Sequence, residues 1–300
     1  MERVRDLNTV VAPLPLIKKA PMFLAAVRFQ ESVFALPFAY TGMVLAAGGF
    51  PTWGQLLWIT VAMVSARTLG MSANRLIDRH IDAANPRTAG RHLPAGVLKG
   101  SEMMLLAGVS LGVFLLAASR LNPLALALAP VAAAYLIAYP YAKRFTWAAN
   151  LLLGWALAIA PSAGWIGVNG ALSWEPVLLS AAVALWAASF DILYHAQDRE
   201  FYLRAGYHSV AARFGTVAAF RWSRSLDVLA VACLVGLGVW MGLAYPYYIG
   251  CALAAVLLVL RYHMVSPDDL SRLGVAFMRI NAVVSAAIFV GVLVSVSMSS

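Results

Sequence analysis

Apolar runs long enough to cross a lipid bilayer recur along this chain from residue 29 to residue 296. An α-helix rises 1.5 Å per residue, so spanning ~30 Å of hydrocarbon takes roughly 20 mostly apolar residues. Runs of that kind fall at 29–49, 56–77, 103–121, 123–142, 146–168, 175–196, 222–243, 246–264 and 273–296. They are rich in Leu and Ala, and they lack the alternation of the ~10-residue segments that build a β-barrel. Only 12% of the residues are charged, about half the share usual in soluble domains. The sequence therefore predicts an all-α polytopic membrane protein of about nine transmembrane helices, read as a single domain over 1–300.

The basic residues say how these helices are oriented. Of 22 Lys and Arg, all but Arg67 and Arg120 fall in alternate connections or at the helix ends that face them. Positively charged connections stay on the cytoplasmic side, which predicts a cytoplasmic N-terminus and an outside C-terminus in a cell-membrane protein. Residues 1–22, with Glu2, Asp6, Pro13 and Pro15, lack the apolar core of a signal peptide and read as a cytoplasmic arm. The net charge of +9 is thus a topology signal rather than a nucleic-acid footprint. Cys233 and Cys251 both fall within spans and read as packing residues, not as a disulfide or metal pair.

Acidic residues are scarce, and they cluster. At the cytoplasmic end of the second span, Asn74, Asp78 and Asp82 recur every four residues and share one helical face. At the same end of the sixth span, "DILYHAQDREF" (191–201) places Asp191, Tyr194 and Asp198 at i, i+3 and i+7. The clusters lie four helices apart, which suggests two similar four-helix halves plus a ninth helix. Ionisable groups at membrane depth are costly and mark pairs, polar cavities or ion sites. Four converging carboxylates repel one another unless cations intervene.

Carboxylate and amide oxygens suit a hard divalent ion such as Mg2+, which takes one or two carboxylates and fills its shell with water and phosphate oxygens. His80, His92 and His195 have no recognisable zinc spacing. Two such clusters imply a diphosphate held between them. Arg87 and Arg91 follow the first cluster, Lys143 and Arg144 end the fourth span in "YPYAKR", and Arg67 lies seven residues before Asn74 on the same face. Guanidinium groups pair with phosphate in a bidentate fashion. Arg28, entering the first span, is a candidate for meeting a carboxylated substrate, with interfacial snorkelling as the competing reading.

The segments "NRLIDRHIDAANPRTAGRHLPAG" (74–96) and "DILYHAQDREF" resemble the two aspartate-rich motifs of the UbiA superfamily of intramembrane prenyltransferases. The family's nine helices extend that resemblance over essentially the whole chain, and "NPRT" with "HSVAARFG" (208–215) looks most like its menaquinone-pathway branch. The resemblance implies Mg2+-dependent transfer of a polyprenyl group from its diphosphate to a small aromatic acid in respiratory quinone synthesis. A 1,4-dihydroxy-6-naphthoate-like acceptor is favoured. The ubiquinone-pathway acceptor 4-hydroxybenzoate is the alternative, and haem or chlorin rings and glycerol phosphate lipids are further rivals. By position, Asn74, Asp78, Asp82, Asp191 and Asp198 would hold metal and diphosphate. Arg67, Arg87, Arg91, Tyr139 and Lys143 would line the diphosphate pocket, and Arg28 and Tyr194 would face the acceptor.

One position departs from the family pattern. Tyr202 stands where the second motif usually carries a further aspartate; as the eleventh residue after Asp191, it is expected in a hydrated loop beyond the span. A competing class, a cation or proton transporter, would place its acids near the bilayer midplane on broken helices, whereas these lie at one surface among arginines.

Overall fold

A computed structural model of the protein describes residues 19–299. Among these residues, eight helices are long and apolar enough to cross a membrane, or nine if one bent pair is counted as a single span. They are α3 (Trp53–Ile77), α5 (Gly100–Ser119), α6 (Pro123–Ala138, continued to Arg144 as a 3-10 turn), α7 (Ala149–Asn169), α8 (Glu175–Ala196), α11 (Thr216–Met241), α12 (Tyr245–Met264) and α13 (Leu273–Ser299). The bent pair is α1 (Ala20–Ala26) with α2 (Ser32–Ala47), joined through a 3-10 turn at Phe29–Glu31 and bent by 51°. Short helices α4 (Arg79–Ala84), α9 (Arg199–Ala205) and α10 (Val210–Phe214) complete the order.

Helices α2, α3, α5 and α6 pack in sequence, as do α7, α8, α11 and α12. The halves meet where α7 lies against α2, α3 and α6, and α13 bridges α12 to α2. The apolar core of the second half joins Phe38, Trp165, Trp186, Leu237, Tyr247 and Ile288. Between helices in lipid, close approach rather than the hydrophobic effect sets the contacts, and small residues permit it. A Cβ on Gly42 would stand 2.1 Å from the Pro161 carbonyl oxygen, so α2 and α7 touch backbone to backbone. A Cβ on Gly154 would lie 2.3 Å from the Ala184 carbonyl oxygen, bringing α7 equally close to α8.

Three boundaries differ from those expected. The first span does not run unbroken from 29: the chain bends at Arg28, whose φ of 51° is left-handed, and residues 20–26, including the end of the expected arm, form α1. The remainder of the arm, 1–18, lies outside the described residues. The fourth span tightens into a 3-10 turn at Tyr139–Arg144, because Pro140 lacks the N–H that an α-helix would use. The seventh span starts at Thr216, well before the expected 222, since Gly215 (φ 86°) ends α10 and the arginine-bearing turns that follow are helical though polar.

Candidate active site

The two aspartate-bearing segments are built alike. Helix α3 ends at Ile77, and Asp78 takes φ −92°, ψ 4° before α4 begins. Helix α8 ends at Ala196, and Asp198 takes φ −95°, ψ 5° before α9 begins. At the first break the ladder continues: the Asp78 N–H donates to the Asn74 carbonyl at 2.9 Å, and the Asp82 N–H to the Asp78 carbonyl at 2.7 Å. Asn74, Asp78 and Asp82 therefore keep one face despite the break.

Both segments open onto one cavity of about 790 Å³. All twelve residues to which the resemblance gives a place in the site line it: Arg28, Arg67, Asn74, Asp78, Asp82, Arg87, Arg91, Tyr139, Lys143, Asp191, Tyr194 and Asp198; Arg144 does not. Most of the remaining wall is apolar, with Met63, Phe114, Leu128, Ala129, Trp155 and Ile159 among its residues.

Each acid is paired. Asp78, 1% exposed, accepts from Lys143 Nζ at 2.5 Å, Arg144 Nη1 at 3.3 Å and Asn74 Nδ2 at 3.1 Å. Asp82 takes both its bonds from Arg91 Nη1, at 2.7 and 2.8 Å. Asp198 receives Arg87 Nε at 2.8 Å on one oxygen and Arg87 Nη2 on the other, with Asn85 Nδ2 at 2.8 Å. Asp191 accepts from Asn150 Nδ2 at 2.8 Å and lies 3.1 Å from His195 Nδ1. Burial raises the Asp198 carboxyl, but the Arg87 fork and its charge outweigh that and hold it below its ordinary value. Burial likewise works against charge on Arg87, and the bond to Asp198 overrides it in the upward direction.

A second cluster forms where the chain bends at Arg28. Arg28 Nη1 donates to Glu31 at 2.8 Å and Nη2 to the Tyr194 hydroxyl at 3.0 Å, which also accepts from Arg87 Nη1 at 3.0 Å. Arg67 Nη2 approaches Glu31 at 3.4 Å. A left-handed backbone at a non-glycine residue costs energy and is held by its surroundings; these bonds do the holding.

The structure corrects the placement of Tyr202. It is 4% exposed, lines the cavity, and sets its ring 5.9 Å from those of His195 and Tyr207. The expected hydrated loop assumed that the chain leaves the membrane along the axis of α8. The break at Asp198 instead turns α9 back over the cavity. Burial holds the Tyr202 phenol well above its ordinary value, so it is neutral.

Sequence reasoning missed Glu31, Arg75 and Asn85, all in the cavity wall, and the buried Asn150 behind it. It also set His195 aside, having tested it only as a zinc ligand. Asn85 was open to discovery, since it sits in the polar "NPRT" stretch; Asn150 gave no signal beyond being polar within an apolar run.

The donors facing the cavity are carboxylate and amide oxygens, the chemistry of a hard divalent ion. Among the described residues, no three His, Cys, Asp or Glu groups converge closely enough to hold a metal by themselves.

The family model described as "UbiA prenyltransferase family" matches residues 35–283. This chain belongs to that family. It is a membrane-embedded prenyltransferase, and the many-helix fold expected from its apolar runs is the UbiA fold. The chain is 33% identical over 254 residues to a protein of Xanthomonas campestris pv. campestris named 4-hydroxybenzoate octaprenyltransferase, covering 85% of this chain and 84% of that one. Its structure resembles the apo structure of a UbiA homolog from Aeropyrum pernix K1, with TM-score 0.81 and 30% identity over 89% of this chain and 98% of that one. It shares its fold with a UbiA homolog from Archaeoglobus fulgidus solved with DMAPP and Mg2+, at TM-score 0.66 and 19% identity over 89% and 99% of the two chains. The relatives do not support the menaquinone branch expected from "NPRT" and "HSVAARFG"; the Xanthomonas relative's name is that of the 4-hydroxybenzoate alternative.

Proposed function

We propose that this UbiA-family enzyme transfers a polyprenyl group from its diphosphate to 4-hydroxybenzoate or a closely similar aromatic acid. The observation that carries this reading is one cavity with opposed ends: four aspartates and their basic partners at one, and an apolar wall along the rest.

Asn74, Asp78, Asp82, Asp191 and Asp198 would hold Mg2+, which when bound neutralises diphosphate charge and eases its departure. A fold neighbour solved with DMAPP and Mg2+ supports the use of that metal. Arg67, Arg87, Arg91 and Lys143 then bind the diphosphate oxygens, with Tyr139 beside them, and stabilise the charge that grows as the allylic C–O bond breaks. The bonding pair leaves with the diphosphate. The allylic cation is delocalised, and the apolar wall excludes water that would capture it. The electron-rich ring attacks, a C–C bond forms, and the ring proton is lost.

Arg28 is the acceptor carboxylate's partner in this reading, with Tyr194 beside it; Arg28 Nη2 already donates to the Tyr194 hydroxyl. The basic connections support a site on the cytoplasmic face of the cell membrane, with the C-terminus outside. The test is an assay of detergent-purified protein with octaprenyl diphosphate, Mg2+ and a panel of 4-hydroxybenzoate, 1,4-dihydroxynaphthoates and non-carboxylated phenols. A prenylated 4-hydroxybenzoate identified by mass supports the proposal; turnover of a naphthoate alone would return the enzyme to the menaquinone reading.

A further inference from the structure

Helix α8 carries Asp191 on one face, and its opposite face is gripped by a polar cluster that plays no part in the chemistry above. Arg261 of α12, 1% exposed, donates from Nη2 to Asp227 of α11 at 2.5 Å and to Ser189 Oγ of α8 at 2.7 Å. The Tyr262 hydroxyl donates to the same Asp227 oxygen at 2.5 Å. Ser223 of α11 donates to the Ser189 carbonyl at 3.0 Å, and its hydroxyl lies 2.8 Å from that of Ser189. Two helices, α11 and α12, thus converge on one residue of α8.

A pair in this condition gives little stability. Asp227 Oδ1, Arg261 Nε and Arg261 Nη1 are buried with no hydrogen-bond partner among the described residues. A buried ion pair repays its desolvation only when its remaining donors and acceptors are also satisfied, and replacing such a pair with apolar residues is often neutral or stabilising. What the cluster does supply is register. Apolar contact is non-directional, whereas a hydrogen bond selects one rotation of the helix. Ser189 and Asp191 are two residues, about 200°, apart around the helix. Holding Ser189 against α11 and α12 therefore aims Asp191 at the cavity, where Asn150 Nδ2 meets it at 2.8 Å.

We infer that Arg261, Asp227 and Ser223, acting through Ser189, are positioning residues that fix the rotation of α8 and so hold Asp191 in the geometry that binds the metal diphosphate. This rests on the proposed role of Asp191. It makes a distant buried charge pair a determinant of diphosphate affinity rather than of stability.

The test uses full-length protein in detergent, with calorimetric binding of inorganic diphosphate in Mg2+ and thermal unfolding of the same samples. The variants are Ser189→Ala, the double variant Arg261→Leu with Asp227→Leu, and Asp191→Asn as the reference. The double variant is expected to unfold at the wild-type temperature or above and to bind diphosphate at least tenfold more weakly. Ser189→Ala is expected to bind at least threefold more weakly with its unfolding temperature unchanged, and its acceptor KM should not move. Wild-type affinity in both would overturn the inference, as would weakening only in proportion to lost thermal stability. Should the double variant fail to fold, Ser189→Ala decides alone. Wild-type affinity in Asp191→Asn would instead remove the site assignment on which the inference stands, which separates the two failures.

Discussion

Arg87 and Asp198 are 111 residues apart, and the guanidinium of one donates from Nε and Nη2 to the two carboxylate oxygens of the other. The third nitrogen of that fork, Nη1, reaches the Tyr194 hydroxyl at 3.0 Å. One arginine from the first acidic segment thereby ties down two residues of the second. Planar bidentate geometry is what arginine offers and lysine does not. With diphosphate bound, the same fork suits phosphate oxygens.

Arg87→Ala is expected to raise the diphosphate KM at least tenfold, about 1.4 kcal/mol of binding, while leaving the aromatic KM within twofold. Arg87→Lys should fall between, keeping charge without the fork. In the pair Arg87→Ala with Asp198→Asn, the combined loss should be far smaller than the product of the single losses, because contacting residues are not additive. Steady-state kinetics with each substrate varied in turn makes the measurement; an effect confined to the aromatic substrate would assign Arg87 to the acceptor.

How much of this site could be read from the sequence depends on whether the information was periodic. The spacing of Asn74, Asp78 and Asp82 is helical, so the face they share followed directly. Tyr202 was misplaced because the same periodicity was carried past Asp198, where the backbone turns. Which cation meets which acid was also hidden. The choice of Lys143 and Arg144 for Asp78, and of Arg91 for Asp82, depends on how α4 and the 3-10 turn after α6 are folded back. Asn150 acts through a helix contact that Gly154 makes close, and one sequence shows that glycine only as a small residue among others.

Metal dependence is the next expectation. Chelation with EDTA should abolish prenyl transfer and Mg2+ should restore it, since the facing donors are hard oxygens. Asp78→Asn and Asp191→Asn should each lose at least a hundredfold in kcat/KM with the protein still folded. Undiminished turnover after exhaustive chelation would remove the metal from the mechanism.

The apolar wall makes a prediction about the tail. Ala129 of α6 is 3% exposed and lines the cavity, so a larger side chain there must occupy space that the prenyl chain needs. Ala129→Phe is expected to lower kcat/KM for octaprenyl diphosphate at least tenfold more than for geranyl diphosphate. Equal losses for both lengths would place the tail along another path.

Tyr202 tests the corrected geometry of the second segment. Its ring packs on His195 and Tyr207, and no hydrogen bond of its hydroxyl is made to the described residues. Tyr202→Phe should therefore change kcat/KM by less than about threefold, whereas Tyr202→Ala should cost roughly 3–5 kcal/mol of stability, as removal of a buried aromatic does. The phenol is held above its ordinary value of 10.0 by burial. In alkali the unfolded chain therefore loses this proton before the folded one does. The stability this contributes is complete below pH 10 and declines as pH rises toward the folded value. Thermal unfolding should fall less steeply above pH 10 in Tyr202→Phe than in the wild type. Tyr202→Asp sets a further carboxylate beside Asp198, so without divalent ions it should be less stable than Tyr202→Phe. Mg2+ should then raise its unfolding temperature by more than it raises the wild type's. Equal Mg2+ responses in the two proteins would mean that position 202 lies beyond reach of the metal, and that α9 does not fold back over the site.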